Sequence, residues 1–326
     1  MNASKPIPKR HLAWRIIGYG AAGLVALAVA GVGLVYLYPL NSASLRTHHD
    51  TVLSYDESVS KVEGLVAADE SAGARDECRT RFYNHGKKTG RAIVMFHGVG
   101  ECPQQFEAMG QYFYAQGYNV LIPRAPHFGL ADNRLHGQAT AQELVAYADQ
   151  SVTTASGLGD ELQVIGLSGG GVLATWTAEY RTDVVSRVEV LSPFYEPSVS
   201  LVPIWQRRIL DVLYGYGILP DGFSDTGLSY HALGQYGRIV ANFKANPTNS
   251  GLKSVATVIS HGDGAIDHDL AQSIPSHLAA VNHLSVRLYM PPAEWGLGHD
   301  IAKAEPNHDI NGHSQDLYPR YFDLLQ

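Results

Sequence analysis

The stretch LQVIGLSGGGVLATW, Leu162–Trp176, decides how this chain is interpreted. A short apolar run leads into one serine among glycines, and a second apolar run with helical spacing follows. Gly166, Ser168 and Gly170 fit the pattern G-x-S-x-G, which carries chemical meaning when it lies between a strand and a helix. Glycines let the two elements pack closely around a sharp turn. The stretch therefore predicts a serine nucleophile at a strand end, where a helix N-terminus favours developing negative charge.

Two other interpretations of these glycines compete with the nucleophile. A phosphate-binding loop needs the pattern G-x-x-x-x-G-K-[ST], and no lysine follows the glycines here. A plain glycine and serine turn between two elements stays open as the alternative.

Short apolar runs alternate with helical patterns on both sides of this stretch. Because such alternation favours a parallel sheet covered by helices on both faces, we predict an α/β fold. The predicted strands are 92–96, 118–123, 162–167, 187–193, 254–260 and 285–290, and the predicted helices are 103–117, 140–156, 171–181 and 269–281.

The alternation breaks at about residues 194–249, where two segments with many aromatic residues have helical apolar spacing. The break follows a predicted strand end, and sheets of this kind place their sites outside the carboxyl ends of strands. We therefore predict a helical lid insertion over the site. An ordinary pair of surface helices is the alternative.

The segment FHGVGECPQQF (96–106), followed by GLSGGG (166–171), resembles the α/β-hydrolase fold. The similarity covers about residues 90–325. It is strongest to bacterial membrane-anchored or exported carboxylesterase-like members with a monoacylglycerol-lipase-like core. The resemblance implies an oxyanion hole formed by the backbone N–H groups of Val99 and Gly169. It also implies that His97 supports its loop and does not act as the base.

In this fold the serine is followed along the chain by the acid and then by the histidine. The resemblance places the acid at Asp263, in HGDGAIDHDL after the fifth predicted strand, with Asp267 as the second candidate. It places the base at His299, in GLGHD after the sixth strand, with His308 as the second candidate. The acid would hold the imidazole tautomer and stabilise the imidazolium.

The chain contains two cysteines, Cys78 and Cys102. In an exported domain such a pair favours a disulfide over a metal site. A disulfide here would tie the segment before the first predicted strand to the loop that carries Val99, which we call the oxyanion loop. Two free buried thiols are the alternative.

The N-terminal segment IIGYGAAGLVALAVAGVGLVYLY, residues 16–38, carries no charge. At ~1.5 Å per residue, a helix of this length spans about 34 Å, enough for a bilayer core of ~30 Å. The basic residues of the first 40 all precede it, which favours a cytoplasmic N-terminus and an exported body. A cleaved signal peptide is the alternative. The predicted organisation is a basic tail (1–15), a transmembrane helix (16–38), an irregular stalk (39–75) and a catalytic domain (76–326).

Composition limits the remaining function classes. The chain is 45% apolar and 17% charged, as expected for a globular core, and its formal net charge of −7 gives no electrostatic case for binding nucleic acid. Several His-Asp pairs occur, but their spacing matches no compact ligand motif such as H-E-x-x-H. We predict neither a metal nor a cofactor.

Together these features predict a serine hydrolase that cleaves a carboxylic ester, with an apolar acyl or aryl group, through an acyl-enzyme. An acyltransferase would use the same residues. The alternative from another class is a membrane-anchored binding module that has the fold without the activity.

Overall fold

The computed structural model describes residues 9–304, 310 and 312–326 and divides the chain into two compact units, residues 1–39 and residues 40–326. Among the described residues of the first unit, α1 (Lys9–Leu37) is the one helix or strand. Its stretch Ile17–Leu37 has a mean hydropathy of 2.1. Within the described residues, no other helix is long and apolar enough to cross a membrane. A membrane span and a signal sequence both fit these properties.

A seven-stranded sheet forms the centre of the second unit, in the order β1-β3-β2-β4-β5-β6-β7. All neighbouring strands are parallel except β1, which pairs antiparallel with β3 at one edge. This confirms the predicted, mostly parallel sheet, whereas β1 was not predicted. The strands are β1 (Arg81–Tyr83), β2 (Thr89–Phe96), β3 (Asn119–Ile122), β4 (Gly159–Leu167), β5 (Val185–Leu191), β6 (Ser254–Val258) and β7 (Arg287–Tyr289).

Helices cover both faces of the sheet, as predicted. Alternate residues of the central strands point to opposite faces, so that Val94 and Val164 belong to one apolar cluster and Met95 and Ile165 to another. The helices that follow the first are α2 (Tyr55–Ser71), α3 (Glu107–Ala115), α4 (Ala141–Ala155), α5 (Gly169–Tyr180), α6 (Ile204–Gly215), α7 (Tyr230–Val240), α8 (His268–Val281) and α9 (Ser314–Leu325). Helices α4 and α5 pack in the first cluster, and α3 and α9 pack in the second.

The prediction of an irregular stalk at residues 39–75 is wrong for α2. Ser54 caps this helix through a reciprocal capping box with Glu57, a local signal that the apolar pattern did not carry. Helix α2 belongs to the second unit, because Val62 is part of the hydrophobic core of that unit. At its end, the buried Asp69 carboxylate pairs with Arg124 at 2.8 Å. The compact unit therefore starts near residue 40, well before the predicted boundary at residue 76.

Two helices occupy the predicted insertion. Helices α6 and α7 lie between β5 and β6 and pack against each other. Several apolar side chains of this region are exposed, among them Leu201, Ile204 and Trp205. The insertion thus follows the carboxyl end of β5, where a site in a parallel sheet is expected.

Candidate active site

Ser168 lies at the corner between β4 and α5 in a strained backbone conformation. Its φ is 55° and its ψ is −119°, a region that few residues other than glycine adopt. The Ser168 N–H donates to the Leu191 carbonyl at 2.9 Å, and its own carbonyl accepts from the Phe194 N–H at 3.0 Å. Such strain persists only where surrounding contacts fix it, and it clusters at functional sites.

The glycines of the corner are required by close backbone packing. A Cβ on Gly166 would overlap the carbonyl of Gly170, and a Cβ on Gly170 would overlap the carbonyl of Phe96. Strand β2, strand β4 and helix α5 therefore meet with no room for side chains. This explains physically why glycines surround the serine in the sequence.

The two residues predicted for an oxyanion hole lie beside the serine. A Cβ on Gly169 would lie 2.6 Å from Val99 Cγ2, and a Cβ on Gly98 would lie 3.5 Å from Ser168 Cβ. Val99 and Gly169 are buried, and neither backbone N–H has an acceptor among the described residues. Two buried, unused donors next to a candidate nucleophile suit a developing oxyanion.

Asp263 and His299 lie together, although 36 residues separate them. The Asp263 carboxylate Oδ2 accepts from His299 Nδ1 at 2.9 Å, and Oδ1 accepts from the Ala265 N–H at 2.9 Å. Burial would raise the pKa of the Asp263 carboxyl, but the hydrogen bond and charge of His299, with Ala265 and Ser192, hold it below its ordinary value. With its Nδ1–H donated to Asp263, His299 keeps Nε2 as the basic nitrogen.

The second candidates for acid and base have other surroundings. Asp267 caps the N-terminus of α8 through the Leu270 N–H and pairs with Arg207 at 2.8 Å. His308 lies outside the described residues. His313, which follows it, stacks on Trp295 with 4.2 Å between ring centroids.

His97 is held inside the fold as a neutral ring. Its Nδ1 donates to the Gly98 carbonyl at 3.0 Å, and its Nε2 accepts from the Ala125 N–H at 3.1 Å. Burial, together with the charge of Arg124, lowers the pKa of His97 to about 4. The ring thus fixes the start of the loop that carries Val99 and has no free nitrogen for a substrate.

Cys78 and Cys102 form a disulfide with an S–S distance of 2.08 Å. Cys102 directly precedes the turn Pro103–Phe106, and Cys78 ends the turn Asp76–Cys78. The bond ties the chain before β1 to the loop that carries Val99.

One cavity of about 730 Å³ contains Ser168 and His299 in its wall. Side chains of α6 and α7 line it, including Leu210, Tyr214, Tyr230 and Leu233. This volume lies in the usual range for ligand pockets of ~300–1,000 Å³. No group of three or more histidine, cysteine or acidic side chains that could hold a metal occurs in the described part of the chain.

The cavity also contains charged residues that the sequence analysis missed. Glu196, Arg207 and Asp211 line it together with the apolar side chains. Burial raises the pKa of Glu196 to about 7, with Arg207 opposing the shift, and burial together with the charge of Glu196 raises the pKa of Asp211 to about 8. In the sequence, only the position of these three residues in the insertion pointed to the cavity. Their burial depends on how α6 and α7 pack, which no local pattern specifies.

Comparisons with known proteins agree with this geometry. Residues 87–261 match the family model described as serine aminopeptidase, S33 (Hydrolase_4). No curated protein matches the chain.

Several solved structures share the fold at low identity. The first is a structure from work on LipS and LipT, two metagenome-derived lipolytic enzymes, with 14% identity, 77% of this chain and 98% of that chain covered, and a TM-score of 0.55. A soluble variant of the monoglyceride lipase of Saccharomyces cerevisiae has 14% identity over 76% of this chain and 92% of its own, with a TM-score of 0.54. The monoacylglycerol lipase of Paleococcus ferrophilus has 14% identity over 75% of this chain and 98% of its own, with a TM-score of 0.53.

Proposed function

Since this chain belongs to the serine aminopeptidase S33 family of α/β-hydrolases, we propose that it is a serine hydrolase that cleaves a carboxylic ester. The observation that carries the proposal is that strained Ser168 shares a cavity with His299, whose other ring nitrogen is bound to Asp263. A nucleophile, a base and an orienting acid are the parts that acyl transfer requires.

The proposed reaction has two halves. Ser168 Oγ attacks the ester carbonyl and passes its proton to His299 Nε2, while Asp263 stabilises the imidazolium. The Val99 and Gly169 N–H groups hold the oxyanion. His299 then protonates the leaving alcohol, which leaves a seryl ester. Water attacks that ester with His299 as base, and the acid product leaves Ser168 regenerated.

The composition of the cavity wall supports an apolar acyl group. Leu201, Leu210, Leu228 and Leu233 line the same cavity as Ser168. Each methylene that such a wall removes from water contributes about 0.8 kcal/mol. We propose that α6 and α7 form a lid over this acyl site.

A series of p-nitrophenyl esters tests this function. From acetate through butyrate to octanoate, kcat/KM should rise by up to about fourfold per added methylene. Ser168→Ala is the control and should remove both the turnover and the labelling by a fluorophosphonate probe. A folded wild-type protein that neither turns over any ester nor labels would favour a binding module on this fold. Product esters formed on adding an alcohol would favour an acyltransferase.

Two carboxyl groups in the cavity favour a second candidate, an aminopeptidase. Glu196 and Asp211 could hold the ammonium group of a substrate with a free amino terminus, and such a cation would itself favour their charged forms. Turnover of alanine p-nitroanilide, but not of its N-acetyl derivative, would support this candidate. The ester series and the anilide pair together separate the two functions.

We also propose that α1 anchors the protein in a membrane, with the basic tail in the cytoplasm and the second unit exported. Its apolar stretch Ile17–Leu37 supports the span. The full chain should remain in the membrane pellet during an alkaline carbonate wash, and a chain that starts at Leu40 should be released. A mature protein whose N-terminus begins beyond this stretch would instead show a cleaved signal.

A further inference from the structure

Gln105 is a buried side chain that makes two hydrogen bonds to two different loops. It lies in the turn Pro103–Phe106 and is 2% exposed. Its Oε1 accepts from the Gly98 N–H at 2.8 Å. Its Nε2 donates to the Asp300 carboxylate Oδ2 at 2.9 Å, across 195 residues of sequence.

Each of these partners directly neighbours a residue of the proposed machinery. Gly98 precedes Val99, which carries one of the two oxyanion donors, and Asp300 follows His299. The other oxygen of Asp300, Oδ1, accepts from the N–H groups of Ala302 and Lys303 at 3.0 and 3.1 Å. The position of Asp300 is therefore tied to the backbone of its own loop, and Gln105 connects that loop to the oxyanion loop.

We propose that Gln105 is a positioning residue that sets the distance between the oxyanion donor of Val99 and the base His299. This inference rests on the proposed function and extends it. Both groups must meet one substrate carbonyl, so a shift of either loop misaligns the reaction even when the triad is intact. A single amide that holds both loops fixes their relative placement.

The chemistry of the bridge suits an amide. Gly98 offers a donor and Asp300 offers an acceptor, so the connecting group must accept at one atom and donate at the other. A glutamate can accept from Gly98 but brings a second carboxylate against Asp300. A leucine can do neither, although it fills a similar volume.

The test compares Gln105→Leu and Gln105→Glu with a matched control in the same turn. Gln104 is partly exposed, and its side chain makes no hydrogen bond within the described residues, so Gln104→Leu and Gln104→Glu are the controls. With an ester substrate, kcat/KM of both Gln105 variants should fall about 10- to 100-fold, and both controls should keep the wild-type value. Labelling of wild type, but not of Ser168→Ala, by a fluorophosphonate verifies the proposed function separately.

A double variant distinguishes positioning from a purely structural role. In Gln105→Glu with Asp300→Asn, the new carboxylate accepts from Gly98 and from the new Asn Nδ2, and the Asn Oδ1 still accepts from Ala302 and Lys303. The bridge is restored with the donor and acceptor exchanged and the total charge unchanged. We expect kcat/KM to recover at least about tenfold over Gln105→Glu alone.

The pH profile adds a second measurement. Gln105→Glu places an extra carboxylate near His299, which favours the imidazolium, so the acid limb of kcat/KM should move to higher pH. In the double variant the limb should return to its wild-type position.

Recovery in the double variant, with the thermal midpoints of all variants close to wild type, supports the inference. Wild-type kcat/KM in Gln105→Leu, or losses that simply add in the double variant, would overturn it while the proposed function stands. A wild-type protein that does not label at all would overturn both.

Discussion

Two parts of the candidate site reach the same cavity but are held by different forces. The serine corner, residues 166–171, is fixed by backbone against backbone, with glycines where a Cβ would overlap a carbonyl. The histidine loop, residues 290–304, is fixed by side chains from elsewhere in the chain. The Tyr318 hydroxyl donates to the Ala302 carbonyl at 2.8 Å, the Tyr321 hydroxyl donates to the Ile301 carbonyl at 2.9 Å, and the Ser260 hydroxyl donates to the Leu297 carbonyl.

This difference has consequences for how each part responds to substitution. Close backbone packing leaves no space for an added atom, so a substitution in the serine corner should lower the free energy of unfolding more than it lowers activity by misalignment. A loop held by a few hydrogen bonds can shift by a fraction of an ångström while the fold persists, so a change there should cost catalysis first. Substitutions that affect one part and spare the other test this division.

Asp263→Asn should lower kcat about 10⁴-fold, because an amide in place of the carboxylate favours the wrong imidazole tautomer of His299. The thermal midpoint should change little in comparison. Steady-state kinetics on an ester substrate measure the effect. Asp267→Asn is the matched control, and it should mainly lower stability, because it removes the charge that pairs with Arg207 while the asparagine oxygen still caps α8. An equal loss of kcat in both variants would contradict the assignment of the acid to Asp263.

Gly170→Ala should destabilise the protein by about 3 kcal/mol or more, because the new methyl group would overlap the Phe96 carbonyl. Chemical denaturation with circular dichroism measures the free energy of unfolding. Gly64→Ala is the control, since Gly64 lies exposed in α2 with open space around it, and the substitution should stabilise by up to about 1 kcal/mol. A stable Gly170→Ala protein that has lost only activity would break the division between corner and loop.

The same division explains what could be predicted from the sequence. The serine corner could be predicted because its packing requires glycines at fixed positions, and those glycines stand beside Ser168 in the sequence. The parallel sheet could be predicted because its buried strands are short apolar runs in the sequence. Asp263 and His299 needed the family resemblance, because the residues around them carry no pattern that specifies their contact.

Features that depend on distant contacts could not be predicted. Gln105 meets Asp300 across 195 residues of chain, and no local pattern indicates that pair. Helix α2 was missed because its exposed faces weaken the apolar periodicity, although Ser54 and Glu57 do form a capping signal. The burial of Glu196 and Asp211 follows from the packing of the insertion and not from their neighbours in sequence.

Glu189→Gln should stabilise the protein above neutral pH. Glu189 is fully buried on β5, and neither carboxyl oxygen has a hydrogen-bond partner among the described residues. Burial raises its pKa well above the ordinary value, so the folded state keeps a proton that the unfolded state releases. Wild-type stability is therefore lost as pH rises from the unfolded pKa towards the folded one. Glutamine does not titrate, so the variant should gain stability relative to wild type as pH rises from about 4 to about 8.

The control for Glu189→Gln is Glu161→Gln, for which we expect the opposite change of stability with pH. Glu161 accepts hydrogen bonds from Lys253 and Arg187, and these lower its pKa despite partial burial. Glu161→Gln should lose stability near neutral pH and converge with wild type as pH falls. Thermal midpoints measured across pH compare the two variants.

Tyr321→Phe should give the smallest effect, a loss of about 1 kcal/mol of stability, since it removes one buried hydrogen bond and keeps the ring. The lost bond holds the Ile301 carbonyl in the histidine loop, so kcat/KM should also fall several-fold. Tyr118→Phe is the matched control, because the buried Tyr118 hydroxyl accepts from Arg91 at the start of β2 and from the Gln326 side-chain amide. It should cost similar stability and leave kcat/KM unchanged. If both variants lose activity equally, the histidine loop is held by the general stability of the fold, and the contrast with the serine corner fails.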